Sequence, residues 1–240
     1  MYYIKRDKHM FEQHEFIGEK GHKGTLANYE AWINKHCELV NSLIAAKSGN
    51  LDTDAFAEHH HSNSARLEQF LQPIKNRHIN VVEVAAGPNF TAPYTLHENG
   101  YDFTYISCDI YPKLKKLNMQ GVMETGIAGN IYHVFATASV LPLPDNSMDA
   151  CIYLHAINDI WYSEGMRGVH AALSESLRVL KPGGVLISSD QQMDIDPTTD
   201  YVSHIDVKKF LHENCRYESE EYDNEVPGRG WLVVHDIREL

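Results

Sequence analysis

From residue 79 onward, short β-branched runs alternate with helix-forming segments, and no other feature constrains the fold as much. Residues 79–85 (INVVEVA), 103–108 (FTYISC), 131–136, 150–155 and 185–189 read as strands. Residues 91–97 read as a helix. Residues 164–180 read as the clearest one, with Val169, Ala172, Leu173, Leu177 and Leu180 on one face. Strands alternating with helices imply βαβ units, a parallel sheet covered on both faces, and right-handed crossovers. The last stretch differs. Ser203-His-Ile-Asp206 has the form of a capping box opening a short helix. Two strand-like runs follow, 216–222 and 231–237, around a Pro227-Gly228-Arg229-Gly230 loop too short for anything but an antiparallel pair. The expected fold is therefore α/β, doubly wound. Its sheet is mostly parallel and seven-stranded with an antiparallel last strand, and N-terminal helices are added.

Residues 1–23 are polar and read as an arm. From Thr25, Leu26, Tyr29, Ile33, Cys37, Val40 and Ile44 share one helical face, and Gly49-Asn50 closes it. A second helix is expected over 64–75. Residues 1–78 thus read as a helical extension or lid, packed on a domain of residues 79–240.

Composition narrows the function. Asp and Glu number 33 against 21 Lys and Arg, for a formal net charge of −12. Such a surface repels phosphate backbones, and the densest basic run, residues 113–116, holds three lysines, so no nucleic acid is expected. No stretch approaches the roughly 18 apolar residues of a membrane span, and the polar N-terminus does not read as a secretory signal. The four cysteines are far apart and form no CxxC pair. They read as reduced thiols of a cytoplasmic protein. Oligomeric state is left open.

In an open parallel sheet, ligands bind beyond the carboxyl ends of the strands, where strand order reverses. The first strand of this domain ends in Glu83-Val-Ala-Ala-Gly-Pro-Asn89. Small residues let the backbone turn sharply there, and the next helix presents free N–H groups. The second strand ends in Cys108-Asp109. A carboxylate in that place suits a ribose diol. A dinucleotide site wants GxGxxG, but Ala85, Gly87 and Asn89 occupy the spaced positions. The ligand is thus a nucleoside without a pyrophosphate.

Four segments, in order, make the chain similar to class I S-adenosylmethionine-dependent methyltransferases, in the branch acting on small molecules. VVEVAAGPN (81–89) resembles the family's first motif, and YISCDIYP (105–112) resembles its second strand with the ribose-binding acid. ATASVLPLPDNSMDACIYLHAIND (136–159) resembles the adenine loop and fourth strand. LSESLRVLKPGGVLISSD (173–190) resembles the following helix, turn and strand. The resemblance implies S-adenosylmethionine as cofactor. Glu83 and the turn Ala85, Ala86, Gly87, Pro88 and Asn89 would hold its amino acid end. Asp109 would bind the ribose, and Ile110 would pack on the adenine. Ala138, Ser139 and Val140 would line the adenine edge, and Leu154 and His155 would face the methionine portion. Two departures stand out. Ala85 and Asn89 replace common glycines, and Thr137 or Ser139 stands where the family often carries an acid for the adenine amine.

Methyl transfer from a sulfonium is an in-line displacement, so the protein mainly aligns the acceptor and excludes water. His155, directly after the fourth strand, is the candidate base or positioning residue; a histidine that simply packs there is the plainer alternative. Asp159, Trp161 and Tyr162 would shape an acceptor pocket or simply open a helix. No metal is expected. Asp190, Gln191, Gln192, Asp194 and Asp196 form a commonplace polar loop, although Asp159 with Asp190 would suit Mg²⁺. His59, His60 and His61 are consecutive and cannot all point one way, so they read as a loop before a Ser62 or Ser64 helix cap. Two rivals stay open: a cofactor-binding protein of this fold without methyltransferase activity, and an S-adenosylmethionine-using enzyme of another reaction type.

Overall fold

A computed structural model describes residues 16–18, 22–24, 54–87, 91–110, 130–191, 202–223 and 229–239. The expected helix from Thr25, the lysines at 113–116 and residues 192–201 lie outside these ranges. Strands β1 (Phe16–Gly18) and β2 (His22–Gly24) pair antiparallel, where the sequence reads only as an arm. Helix α1 (Asp54–Leu71) runs straight through His59–His61 and continues as a 3₁₀ turn, Gln72–Ile74. The three histidines are therefore helical, not a loop, and Ser62 and Ser64 are interior rather than caps. Helix-forming Ala55, Ala57 and Glu58 start the helix earlier than the serine pattern suggests. Pro73 sits near the start of the 3₁₀ turn, where its missing N–H is tolerated.

The main sheet contains β3 (Ile79–Val84), β4 (Phe103–Asp109), β5 (Asn130–Phe135), β6 (Met148–Leu154), β7 (Leu180–Gln191), β8 (Cys215–Asp223) and β9 (Arg229–Glu239). Their order is β5-β4-β3-β6-β7-β9-β8. The pairs among β5, β4, β3, β6 and β7 are parallel, and β9 pairs antiparallel with both β7 and β8. The last strand is thus the one that runs against the rest, and it inserts between two earlier ones. The chain builds outward from β3 to β5, then returns to lay β6 on the other side of β3. That reversal opens a crevice at the carboxyl ends of β3 and β6.

Alternation along the strands separates two cores. Val82, Val84, Cys151, Tyr153 and Leu186 face α3 (Ile157–Val179) and α4 (His204–Asn214), meeting Val169, Leu173, Phe210 and Leu211. Ile79, Val81, Tyr105, Ile152 and Ile187 face the other way, onto Leu67, Leu71 and Leu96 of α1 and α2 (Thr91–Glu98). Ser203 and Asp206 form the expected capping box. At the opposite end of the sheet, Asp149 is fully buried. It accepts the Asn80 N–H at 2.8 Å and pairs with Lys181 at 2.6 Å and Arg77 at 2.9 Å. One carboxylate thereby ties the starts of β3, β6 and β7. Helix α3 begins seven residues before its expected start and breaks at Gly165 (φ 67°, ψ −172°).

Candidate functional site

The carboxyl ends of the parallel strands bring the sequence-predicted residues to one edge. The turn after β3 crosses toward β4: the Ala86 N–H donates to Cys108 O at 3.1 Å, and the Gly87 N–H donates to Asp109 Oδ2 at 3.0 Å. The Ala136 N–H, just past β5, donates to Asp109 O at 3.1 Å. The His155 N–H, just past β6, donates to Ser189 O of β7 at 2.8 Å. Strand ends are thus stitched on each side of the β3–β6 crevice, with Ala85 to Gly87 and Asp109 on one side and Leu154 and His155 on the other, and Ala138 is buried in the loop after β5. Ala85 (φ 51°), Gly87 (φ 55°) and His155 (φ 57°) all take the left-handed conformation. For Ala85 and His155 this is strained, and strain of this kind gathers where a backbone must come close to a ligand. A Cβ at Gly87 would meet no atom of the described residues within 4 Å.

Beneath this edge lies a pair of buried carboxyls. Glu83 is fully buried and accepts a hydrogen bond from the Tyr105 hydroxyl. Its Oε1 is buried with no partner among the described residues. Burial pushes the Glu83 carboxyl up to about 8; the Tyr105 bond pulls it down, and the nearby Asp109 pushes it further up. Tyr105 is held well above its ordinary value, first by burial and then by Glu83, so it keeps its proton and donates. Asp109 is also buried and accepts the Gly87 N–H.

The loop after β5 is fixed from α3. Arg178 donates from Nη1 to Leu143 O and Asp145 Oδ1 at 2.8 and 2.6 Å, and from Nη2 to Leu141 O at 2.9 Å. It also forks onto Glu175, which in turn accepts the Leu141 N–H at 2.7 Å. Residues 141–145 and the end of α3 therefore form one unit, which joins the LPLPDN and RVLKPGG segments in space. Ahead of this clamp, Ala138 is buried, Ser139 half-buried and Val140 exposed. The Ser139 hydroxyl donates to Glu164 Oε2 at 2.6 Å.

Ile110 is half-buried beside Asp109, and Asp159 is exposed in the first turn of α3 with Trp161 half-buried after it. Pro88, Asn89, Gln192, Asp194, Asp196 and the side chains of Tyr162, Asp190 and Gln191 lie outside the described residues. Sequence reasoning missed Tyr105, Arg178, Glu175 and Glu164. Tyr105 was findable: it registers with Val81 in the parallel pair, which sets it diagonally beside Glu83 on the same face. Glu164 was not, because its placement depends on the break at Gly165.

Residues 82–188 match the protein family described as methyltransferase domain. Over 107 residues the chain is 30% identical to the ubiquinone/menaquinone biosynthesis C-methyltransferase UbiE of Pseudomonas fluorescens, covering 45% of this chain and 40% of that protein. The chain thus matches well under half the length of that relative. Among solved structures, a SAM-dependent methyltransferase from Aquifex aeolicus superposes with a TM-score of 0.54 at 21% identity, over 71% of this chain and 88% of the other. The [4+2]-cyclase SpnF superposes with a TM-score of 0.56 at 14% identity, over 72% of this chain and 80% of the other.

Proposed function

We propose that residues 82–188, which match the methyltransferase domain family, form a class I S-adenosylmethionine-dependent methyltransferase domain, and that the protein transfers a methyl group from S-adenosylmethionine to a small-molecule acceptor. The observation that carries the reading is the bond from Gly87 N–H to Asp109 Oδ2. It joins the small-residue turn to the ribose-type acid at one corner of the crevice. The residues fit the cofactor chemically. Glu83 Oε1, buried without a described partner, suits an ammonium group. Asp109 suits a diol, and no described residue fills the space a Cβ at Gly87 would take, which suits a ligand close to the backbone.

When bound, the cofactor supplies an electrophilic methyl on a sulfonium. The chain's own part is to grip the two ends: Glu83 with Ala85, Ala86, Gly87, Pro88 and Asn89 at one, Asp109 with Ile110, Ala138, Ser139 and Val140 at the other. Leu154 and His155 sit between them at the end of β6. His155 is held by its backbone to Ser189 and serves as acceptor-positioning residue or proton acceptor. Residues 1–78 act as an extension to the domain of 79–240. The relatives' description as ubiquinone/menaquinone biosynthesis C-methyltransferases makes a carbon acceptor the first class to assay. The acidic balance supports a partner other than nucleic acid, and no described helix is long and apolar enough to cross a membrane. Cys108, Cys151 and Cys215 are free thiols, which supports the reducing cytoplasm as its compartment.

Calorimetry with S-adenosylhomocysteine tests the proposal. The wild-type protein binds, and Asp109→Ala weakens binding at least 100-fold while leaving the fold intact by circular dichroism. No binding by a folded wild-type sample refutes it. The structural likeness to a cyclase gives a second reading: the same site used for a rearrangement. Product mass decides, because methylation adds CH₂ and rearrangement adds nothing.

A further inference from the structure

We propose that Glu164, supplied by α3, is the residue that reads the exocyclic amine of the cofactor's adenine. The inference rests on the methyltransferase reading above and adds to it the group that selects adenine over other purines.

Three independent features hold Glu164 in place. The first is its bond with Ser139: the hydroxyl donates to Oε2 at 2.6 Å, while no described residue partners Oε1. The second is the break in α3 at Gly165, with φ 67° and ψ −172°. That region is open essentially to glycine alone. The third is Gly168. In a regular helix the Cβ atoms of residues i and i+4 lie about 5–6 Å apart. Here a Cβ on Gly168 would lie 2.2 Å from Glu164 Cβ and 3.1 Å from its Oε2. The break folds Glu164 back over the next turn, and only a residue without a side chain leaves it room. Two glycines therefore permit the path of the backbone around one carboxylate.

The place it occupies is specific. Ala136 is bonded to Asp109, and Ser139 follows three residues later, so the loop runs from the ribose-type acid to Glu164. The nucleobase of a nucleoside gripped at Asp109 projects along that loop. Adenine presents an amine donor at its edge, and a donor buried there without an acceptor loses its water for nothing. Thr137 and Ser139 carry only hydroxyls, and Ser139 spends its proton on Glu164. The carboxylate is the strong acceptor at that edge. It also repels a purine with an oxo group in the amine's place.

The test compares S-adenosylhomocysteine with S-inosylhomocysteine, in which the amine is replaced by oxygen, by calorimetry on the full chain. Wild-type protein is expected to bind the adenosyl form at least tenfold tighter. Glu164→Gln can donate to the oxo group, so the preference should narrow to less than threefold, with thermal midpoint within about 3 °C of wild type. Glu164→Ala should weaken adenosyl binding about tenfold. A wild-type ratio near one overturns the inference without any variant, and so does an unchanged ratio in Glu164→Gln. If wild-type protein binds neither compound, the methyltransferase reading itself falls and takes this inference with it.

Discussion

At the scale of single residues, the buried Glu83 carboxyl governs how the site answers to pH. Its folded value of about 8 stands above the ordinary 4.5. Between those values the unfolded chain has released the proton and the folded chain keeps it, so stability falls as pH rises through that window and levels off above about 8. Urea titrations of wild type and Glu83→Gln should therefore converge near the acid end of the window. They should diverge by on the order of a few kcal/mol in favour of the variant at its alkaline end. Binding runs the other way. An ammonium paired with Glu83 needs the carboxylate, so affinity for S-adenosylhomocysteine should rise toward tenfold per pH unit up to about 8, with one proton released. Calorimetry in buffers of different ionisation enthalpy counts that proton. Ala85 is a second point of tension, at φ 51°. Relief of about 1–2 kcal/mol from the left-handed conformation outweighs about 0.5–1 kcal/mol of added chain entropy for glycine. Ala85→Gly should therefore gain up to about 1 kcal/mol in the same denaturation assay.

At the scale of elements, the segment from β5 to β6 depends on α3. Arg178 serves two backbone carbonyls and two carboxylates across the gap. Arg178→Ala should cost about 2 kcal/mol in chemical denaturation. Arg178→Lys should recover less than half, because a single ammonium cannot reproduce the fork. Cofactor affinity should fall with it, since the same loop begins at the proposed adenine edge. These elements also mark what was legible beforehand. The seven strands of the main sheet and the antiparallel last strand follow from β-branched runs and short connections. The shared edge follows because parallel strands place all their carboxyl ends together. The start of α3 was hidden, because Trp161 to Gly165 does not keep the helical period and the break at Gly165 interrupts it. The helical path of α1 through three histidines was hidden too, since serines at 62 and 64 mimic caps. Pairings such as Arg178 with Leu141 join residues 37 apart, and no local pattern records them.

At the scale of the molecule, two cores share one sheet, and neither can be exposed without opening the other. Cys151 lies at the centre of it, fully buried, with its thiol pushed up to about 12 by burial; Cys108 beside it is raised further by burial and by Cys151. Both should resist alkylation in the native protein and react only at the rate of global unfolding. Peptide-resolved mass spectrometry after pulsed labelling checks this. Early labelling of either thiol at neutral pH would mean that the sheet opens locally along β4 or β6.

The insertion of β9 between β7 and β8 has a consequence for synthesis. Strand β8 leaves the ribosome before the strand that will hold it exists. Until Trp231 to Val234 arrive, β7 offers a bare edge and β8 has nothing to pair with. Vectorial assembly of this molecule therefore finishes as a zipper closed from the tail, and a nascent chain stalled ahead of residue 229 would carry a cofactor corner built on an unfinished wall.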